Sequence, residues 1–248
     1  EDEIAAITMA LGAAYGGSLG ITGSSGPGLA LKIEALNLAV MTELPLIVFD
    51  FMRSGISTGM PTKTEQGDLL MALFGRPSDS HVIVLAPSTA ADCFWISIEA
   101  VRLATKYMTP VVVLSEGFLV NASEPWKLPN LKKIPKIKSP FRNKVEGYLP
   151  YKRNKETLAR DWVRIGTQGL EHTIGGLEKL NETGGVTQDP DNHDLMTRLR
   201  AEKVQKVAND IPDLEIIGEE DADLLLVGWG SSLGSMRAAV EAVNQSGK

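Results

Sequence analysis

The densest chemistry in the sequence lies in Arg53-Ser54-Gly55-Ile56-Ser57-Thr58-Gly59-Met60-Pro61-Thr62-Lys63-Thr64-Glu65-Gln66, a run that sets one arginine among five hydroxyl side chains. A guanidinium grips a carboxylate through two parallel N–H donors, so this run suits a small anionic substrate. The same residues also read as a polar loop that caps the next helix through Thr62 or Thr64. Ser24-Ser25-Gly26-Pro27-Gly28 closes a β-compatible stretch and leads into a helical pattern. Free backbone N–H groups and hydroxyls there can meet a ligand. Composition alone favours a structural turn, and nothing matches a phosphate loop with its lysine. Gly228-Trp229-Gly230-Ser231-Ser232-Leu233-Gly234 is spaced G-x-G-x-x-x-G, which departs from the dinucleotide fingerprint and reads as a tight turn at a helix start. His81, His172 and His193 are scattered and lack zinc-site spacing. Glu3 falls in the first turn of a helical pattern, where an acid is favourable by ~0.3–1 kcal/mol and needs no chemical role.

These residues need a scaffold, and hydropathy supplies one. Ile4, Ile7, Leu11 and Ala14 recur at helical spacing behind Glu1, Asp2 and Glu3. Residues 18–24 read as a short strand, followed by Leu29, Ile33, Leu36 and Val40 at helical spacing. Pro45 opens Leu46-Ile47-Val48-Phe49-Asp50-Phe51, a nearly continuous apolar run of the kind a strand shows when both faces are covered. Thr64 to Phe74 reads as a helix and His81 to Leu85 as a strand. Ser88 reads as the N-cap of a helix carrying Phe94, Ile98 and Val101, and Pro110 to Ser115 as another strand. Such alternation predicts an α/β fold with a doubly wound, mainly parallel sheet, whose ligands sit at the carboxyl ends of the strands. That rule points to the loops after residues 24, 51, 86 and 115.

Beyond Glu116 the pattern gives way to a polar stretch punctuated by prolines. From Lys127 to Arg160 there are 11 Lys and Arg against two acids, a local balance of +9. This reads as a solvated excursion or as a docking face for an acidic partner or a phosphorylated ligand. A helix is expected near Asp194 to Asp210, and Asp223 to Gly228 reads as a strand feeding a helix from Ser231 to Asn244. One such unit cannot bury its own faces. The division is therefore residues 1–221, with a basic polar excursion at 119–193, and residues 222–248 as the start of a second α/β domain.

The 248 residues are 43% hydrophobic and 23% charged, and no apolar run approaches the ~20 residues a bilayer requires, which predicts a soluble protein without a membrane partner. A net charge of −6 gives no reason to expect nucleic acid. The single cysteine, Cys93, cannot form an internal disulfide and suits a reducing, cytoplasmic setting. It cannot alone hold an iron–sulfur cluster. The chain opens at Glu1 without a leader pattern and closes at Lys248 directly after a helical pattern, so it reads as a fragment.

Taken in order, Glu1-Asp2-Glu3-Ile4-Ala5-Ala6, Ser25-Gly26-Pro27-Gly28-Leu29, Glu43-Leu44-Pro45-Leu46, Arg53 through Gln66 and Gly169-Leu170-Glu171-His172 resemble the alpha subunit of a 2-oxoacid:ferredoxin oxidoreductase, most similar to the 2-oxoglutarate type. The resemblance implies a thiamine-diphosphate-binding fold, of which this chain is the pyrimidine domain. It implies an enzyme that oxidatively decarboxylates a 2-oxoacid, 2-oxoglutarate first among them, to acyl-CoA and CO2 and passes electrons to ferredoxin. Mg2+ and a [4Fe-4S] cluster are then expected on a beta subunit, with no metal ligand on this chain, and the isolated chain is expected to be inactive.

By position in the motif, Glu3 is implied as the catalytic glutamate. It would hydrogen-bond a ring nitrogen of the aminopyrimidine and favour the imino tautomer, whose exocyclic nitrogen removes the thiazolium C2 proton. Arg53 is implied as the partner of the substrate carboxylate, with Thr58 and Thr62 beside it. Ser25, Gly26 and Pro27 join Glu3 at the cofactor. Ile56 stands where the family commonly has proline, and Gly23 where threonine is usual. The alternative is a non-catalytic α/β interaction module that docks an acidic partner through the 127–160 segment.

Overall fold

The computed structural model describes residues 2–138, 141–218 and 221–246. Asp2 opens the first helix: its carboxylate accepts from the Ala5 amide at 2.9 Å, satisfying one of the donors a helix start leaves unpaired. Helix α1 (Glu3–Tyr15) buries Ile7, Ala10, Leu11 and Ala14, while Ile4 stays exposed at its free end. The chain continues through β1 (Gly20–Ser24), α2 (Gly26–Thr42), β2 (Leu46–Met52), α3 (Leu69–Phe74), β3 (Ile83–Leu85), α4 (Asp92–Tyr107), β4 (Pro110–Glu116) and α5 (Gly117–Asn121).

The strands lie in the order β1-β2-β4-β3, and every pairing is parallel. Because side chains alternate along a strand, β2 feeds two cores. Leu46 and Val48 join Ile7, Leu11, Leu29 and Leu36 of α1 and α2 on one face, while Ile47 joins Ala100, Leu103 and Tyr107 of α4 on the other. Helices on both faces are what the near-continuous apolar runs of β2 and β4 require, and the doubly wound expectation holds.

Two helices begin later than their sequence patterns suggest. Residues 64–68 are not helical, because Thr64 and Gln66 are engaged elsewhere: the Thr64 hydroxyl donates to Glu116, and the Gln66 amide donates to the Trp229 carbonyl at 3.0 Å. Asp68, rather than Thr62 or Thr64, occupies the N-cap position of α3. Ser88 likewise does not cap α4. Its amide and hydroxyl both donate to the Asp92 carboxylate, so a turn precedes the helix and Ala91 takes the cap position.

The basic segment is only partly a solvated excursion, since two of its three arginines turn into the fold and the third pairs beside the segment. Arg153 meets both oxygens of Glu43 at 2.7 and 2.5 Å, Arg160 donates to the Thr42 carbonyl at 3.0 Å, and Arg142 pairs with Asp161 at 3.0 Å. Helix α6 (Pro190–Gln205) adds Lys203, 2.6 Å from Glu43. The alternative of a module built to dock an acidic partner there loses these cations to internal contacts.

Residues 223–228 form no strand pairing among the described residues, contrary to the strand expected there at the start of a second domain. Leu224, Leu225 and Val227 are exposed, and α7 (Ser232–Gln245) buries no side chain. The physical reason is that a strand exists only through a neighbour, and no described strand lies beside this one. No helix among the described residues is long and apolar enough to cross a membrane.

Candidate active site

Helix α1 runs back along the strand that follows it, and α2 leaves from that strand's carboxyl end. The first turns of both helices therefore meet there. Glu3, the first residue of α1, is half-buried, and its Oε1 accepts from the Ser24 hydroxyl at 3.2 Å. Its backbone carbonyl accepts from the Lys32 ammonium at 3.0 Å. Burial pulls Lys32 below the ordinary lysine range, while Glu3 and Asp2 hold it up against that pull.

The close approach depends on Gly28. A Cβ there would overlap Ser24 Oγ and lie 2.8 Å from Glu3 Cγ. Gly28→Ala is therefore expected to destabilise the chain by about 1–3 kcal/mol through overpacking and to displace the Glu3 side chain. Urea denaturation checks this, and an unchanged midpoint would mean that the turn relaxes freely. Ser25 holds the N-cap position of α2 with no side-chain cap bond, and Pro27 sits in the first turn, where its missing N–H costs nothing. Sequence reasoning named Ser25, Gly26 and Pro27 as the contact turn. Within the Ser24–Gly28 run, the structure shows that Ser24 and Gly28 are the ones set against Glu3.

The Arg53 loop leaves the carboxyl end of β2, the strand beside β1, with Ser24 and Asp50 in register. Backbone hydrogen bonds close it on itself: the Ser54 amide to the Lys63 carbonyl at 2.9 Å, and the Met60 amide to the Ser54 carbonyl at 2.8 Å. The Glu65 carboxylate accepts from the Gly55 amide at 2.7 Å. These bonds close the loop on itself and leave Ile56 exposed. Arg53 is half-buried, and its Nε is buried without a hydrogen-bond partner among the described residues. Thr58 and Thr62 are exposed, and their hydroxyls make no hydrogen bond among the described residues. The structure thus brings Glu3 to the Ser24–Gly28 turn and sets Arg53 just past the end of the adjoining strand, with Thr58 and Thr62 exposed on the loop beyond it and no hydrogen bond between the two groups among the described residues.

Other motifs take structural places. Gly230 has φ +64°, and a Cβ on it would lie 2.6 Å from the Gln66 amide nitrogen. The face that a fingerprint glycine would offer a pyrophosphate is covered by that side chain. His172 is half-buried with Nδ1 2.9 Å from the Leu170 carbonyl, and His193 pairs with Glu178 at 2.7 Å. Among the described residues no group of three His, Cys, Asp or Glu could hold a metal ion.

Sequence reasoning missed a buried acid, Asp50, with the half-buried Asp68 acting on it. Asp50 lies in β2 with no exposed surface, facing Asp68. The signal was present, since a charged residue interrupts an apolar run read as covered on both faces.

The arrangement offers a carboxylate with one oxygen steadied by a serine, at the start of α2, where Gly28 makes room for the Ser24 and Glu3 side chains and Gly26 for the Asp68 carboxylate. A ring with a basic nitrogen fits this set, because the carboxylate can share a proton with the nitrogen. The aminopyrimidine of thiamine diphosphate is such a ring.

Comparison with known proteins gives concordant results. Residues 1–192 match the family described as pyruvate flavodoxin/ferredoxin oxidoreductase, thiamine diP-bdg. The chain is 54% identical over its whole length to the 2-oxoglutarate oxidoreductase subunit KorA of Mycobacterium tuberculosis, covering 38% of that protein. It is 32% identical to the 2-oxoglutarate synthase subunit KorA of Methanothermobacter marburgensis, again over all of this chain and 65% of the relative. In three dimensions it resembles a 2-oxoglutarate:ferredoxin oxidoreductase from Magnetococcus marinus solved with 2-oxoglutarate, coenzyme A and succinyl-CoA bound. The TM-score is 0.91 at 36% identity, covering 100% of this chain and 43% of that one.

Proposed function

Since the chain belongs to the thiamine-diphosphate-binding family of pyruvate flavodoxin/ferredoxin oxidoreductases, we propose that it is the pyrimidine-binding part of an alpha subunit that oxidatively decarboxylates 2-oxoglutarate to its acyl-CoA. The observation that carries this reading is the Glu3 carboxylate, held by Ser24 over the glycine turn at the carboxyl end of β1. When bound, thiamine diphosphate supplies the nucleophilic carbon and the electron sink for loss of CO2. Glu3 holds a proton between its free oxygen and a ring nitrogen, and Ser24 fixes its rotamer. Gly28 leaves room for Glu3 beside Ser24 and Gly26 for Asp68, with Ser25 and Pro27 shaping the turn.

Arg53 binds the substrate carboxylate, and the Thr58 and Thr62 hydroxyls orient what it holds. Mg2+ and the [4Fe-4S] cluster belong to a beta subunit, which closes the cleft and passes electrons to ferredoxin, while coenzyme A takes the acyl group. The single cysteine of these 248 residues cannot by itself supply a four-thiolate cluster. Residues 222–248 begin a second domain, which would cover the exposed Leu224 to Val227 run and the open faces of α7. The site of action is the cytoplasm.

The experiment is reconstitution. The isolated chain is expected to show no CoA-dependent decarboxylation, and the complete alpha subunit with its beta partner to show it with thiamine diphosphate present. Turnover by the isolated chain, or a complex indifferent to the cofactor, would remove the reading. Within the active complex, Arg53→Ala is expected to raise KM for the 2-oxoacid by roughly 1.5–3 kcal/mol of lost charged hydrogen bonding, with kcat little changed. A fall in kcat alone would reassign Arg53.

A further inference from the structure

We propose that Asp50 and Asp68 share a single proton, and that this acid–acid hydrogen bond positions the cofactor-facing turn by holding the loop before α3 against Gly26. The inference rests on the function proposed above and extends it to two residues outside the Glu3 and Arg53 sets.

Asp50 has no exposed surface, and neither carboxyl oxygen receives a hydrogen bond among the described residues. Its strand neighbours in register are Ser24, whose hydroxyl is turned to Glu3, and the apolar Leu114. The charged groups on the surrounding elements are Glu3 of α1, Lys32 of α2, Arg53 beyond β2, Glu65 and Asp68 before α3, and the buried Glu116 at the end of β4. None donates to Asp50, and Lys32 is committed to the Glu3 carbonyl.

A buried carboxylate without a donor or a cation takes a proton instead. Burial first and the Asp68 charge second push Asp50 up to about 8, and burial raises Asp68 as well. Two ionised carboxylates offer each other no donor, so one proton turns a repulsion into a hydrogen bond. The second half of the device is at Gly26, where a Cβ would overlap the Asp68 carboxylate and lie 2.6 Å from its Oδ1. Asp68 thus rests on bare backbone at the first residue of α2, within the turn that presents Ser25 and Pro27. Loss of the shared proton would push Asp68 away from Asp50 and release that turn.

Asp50→Asn separates the possibilities, because its amide keeps the shape and gives Asp68 a permanent N–H donor. Infrared difference spectra of the full chain are expected to show a protonated carboxylic acid at neutral pH that disappears in Asp50→Asn; its absence from the unmodified protein overturns the proposal. The raised folded-state pKa means that unfolding releases a proton at neutral pH. The associated stability is complete below about pH 4 and is lost as pH rises towards about 8. The melting temperature of Asp50→Asn relative to the unmodified chain is therefore expected to climb across that interval and then level, and a difference independent of pH counts against the shared proton.

In the assembled complex, affinity for thiamine diphosphate is expected to weaken by up to about tenfold per pH unit above about pH 8, and not to do so in Asp50→Asn. Identical pH profiles in the two proteins overturn the positioning role. Absence of binding by both at every pH overturns the proposed function itself, while the infrared band still decides whether the proton is shared.

Discussion

Glu3→Gln, introduced into the assembled enzyme, is expected to leave the fold intact while slowing exchange of the thiazolium C2 proton by a factor on the order of 10² or more. The fold is spared because Glu3 is only half-buried, and its two fixed contacts survive the change: a glutamine oxygen can still accept from Ser24, and Lys32 bonds the backbone carbonyl. The charge is what disappears. A carboxylate stabilises a proton on a ring nitrogen, whereas an amide only accepts or donates a neutral hydrogen bond. Exchange measured by NMR after quenching isolates this step from later chemistry. A rate within a few-fold of the parent would remove Glu3 from the catalytic role and leave it as an ordinary acid at a helix start, worth ~0.3–1 kcal/mol.

The second large effect lies at the opposite end of the sheet. Glu43→Ala is expected to cost about 3–5 kcal/mol of folding stability, enough to unfold a marginal domain. Glu43 is fully buried between α2 and β2, with Arg153 on both oxygens and Lys203 on one. Burial works against its charge, but the two cations outweigh burial and hold its carboxyl well below the usual carboxylate range. Removing the acid strands two buried cations, and that desolvation dominates the cost. The sign of the pH effect follows. With the folded-state pKa depressed, the stabilisation is present above the unfolded value of about 4.3 and is lost as pH falls towards the folded one. Denaturant melts at neutral and acid pH check both parts. A loss below about 1 kcal/mol at neutral pH would mean that the cluster relaxes or hydrates.

The contrast between these two acids shows what the sequence can and cannot convey. The sheet was legible because β2 and β4 are apolar enough to demand cover on both faces, and the helices between them because their apolar residues recur at the right spacing. The loops at the carboxyl ends followed from that topology, and Glu3 and Arg53 gained meaning only through a resemblance.

What sequence spacing could not convey were partners far along the chain. Glu43 meets Arg153 and Lys203 from 110 and 160 positions away, so Arg153 reads as part of a solvated basic segment and Lys203 draws no reading. Thr64 to Gln66 reads as helix, yet Thr64 and Gln66 are spent on Glu116 and Trp229, 52 and 163 positions distant. Asp223 to Gly228 has the hydropathy of a strand but no described neighbour to pair with. In each case local preference yielded to a contact, or to the lack of one, that the local pattern does not encode.

The central claim is that Glu3 faces the aminopyrimidine in a cleft closed by a second subunit. The most direct test is a crystal structure of the complete alpha subunit with its beta partner and thiamine diphosphate. The expected result places a Glu3 carboxylate oxygen within hydrogen-bond distance, about 2.6–3.2 Å, of a pyrimidine ring nitrogen, with Arg53 bordering the same cleft. A cofactor bound elsewhere, with Glu3 open to bulk water, would contradict the account.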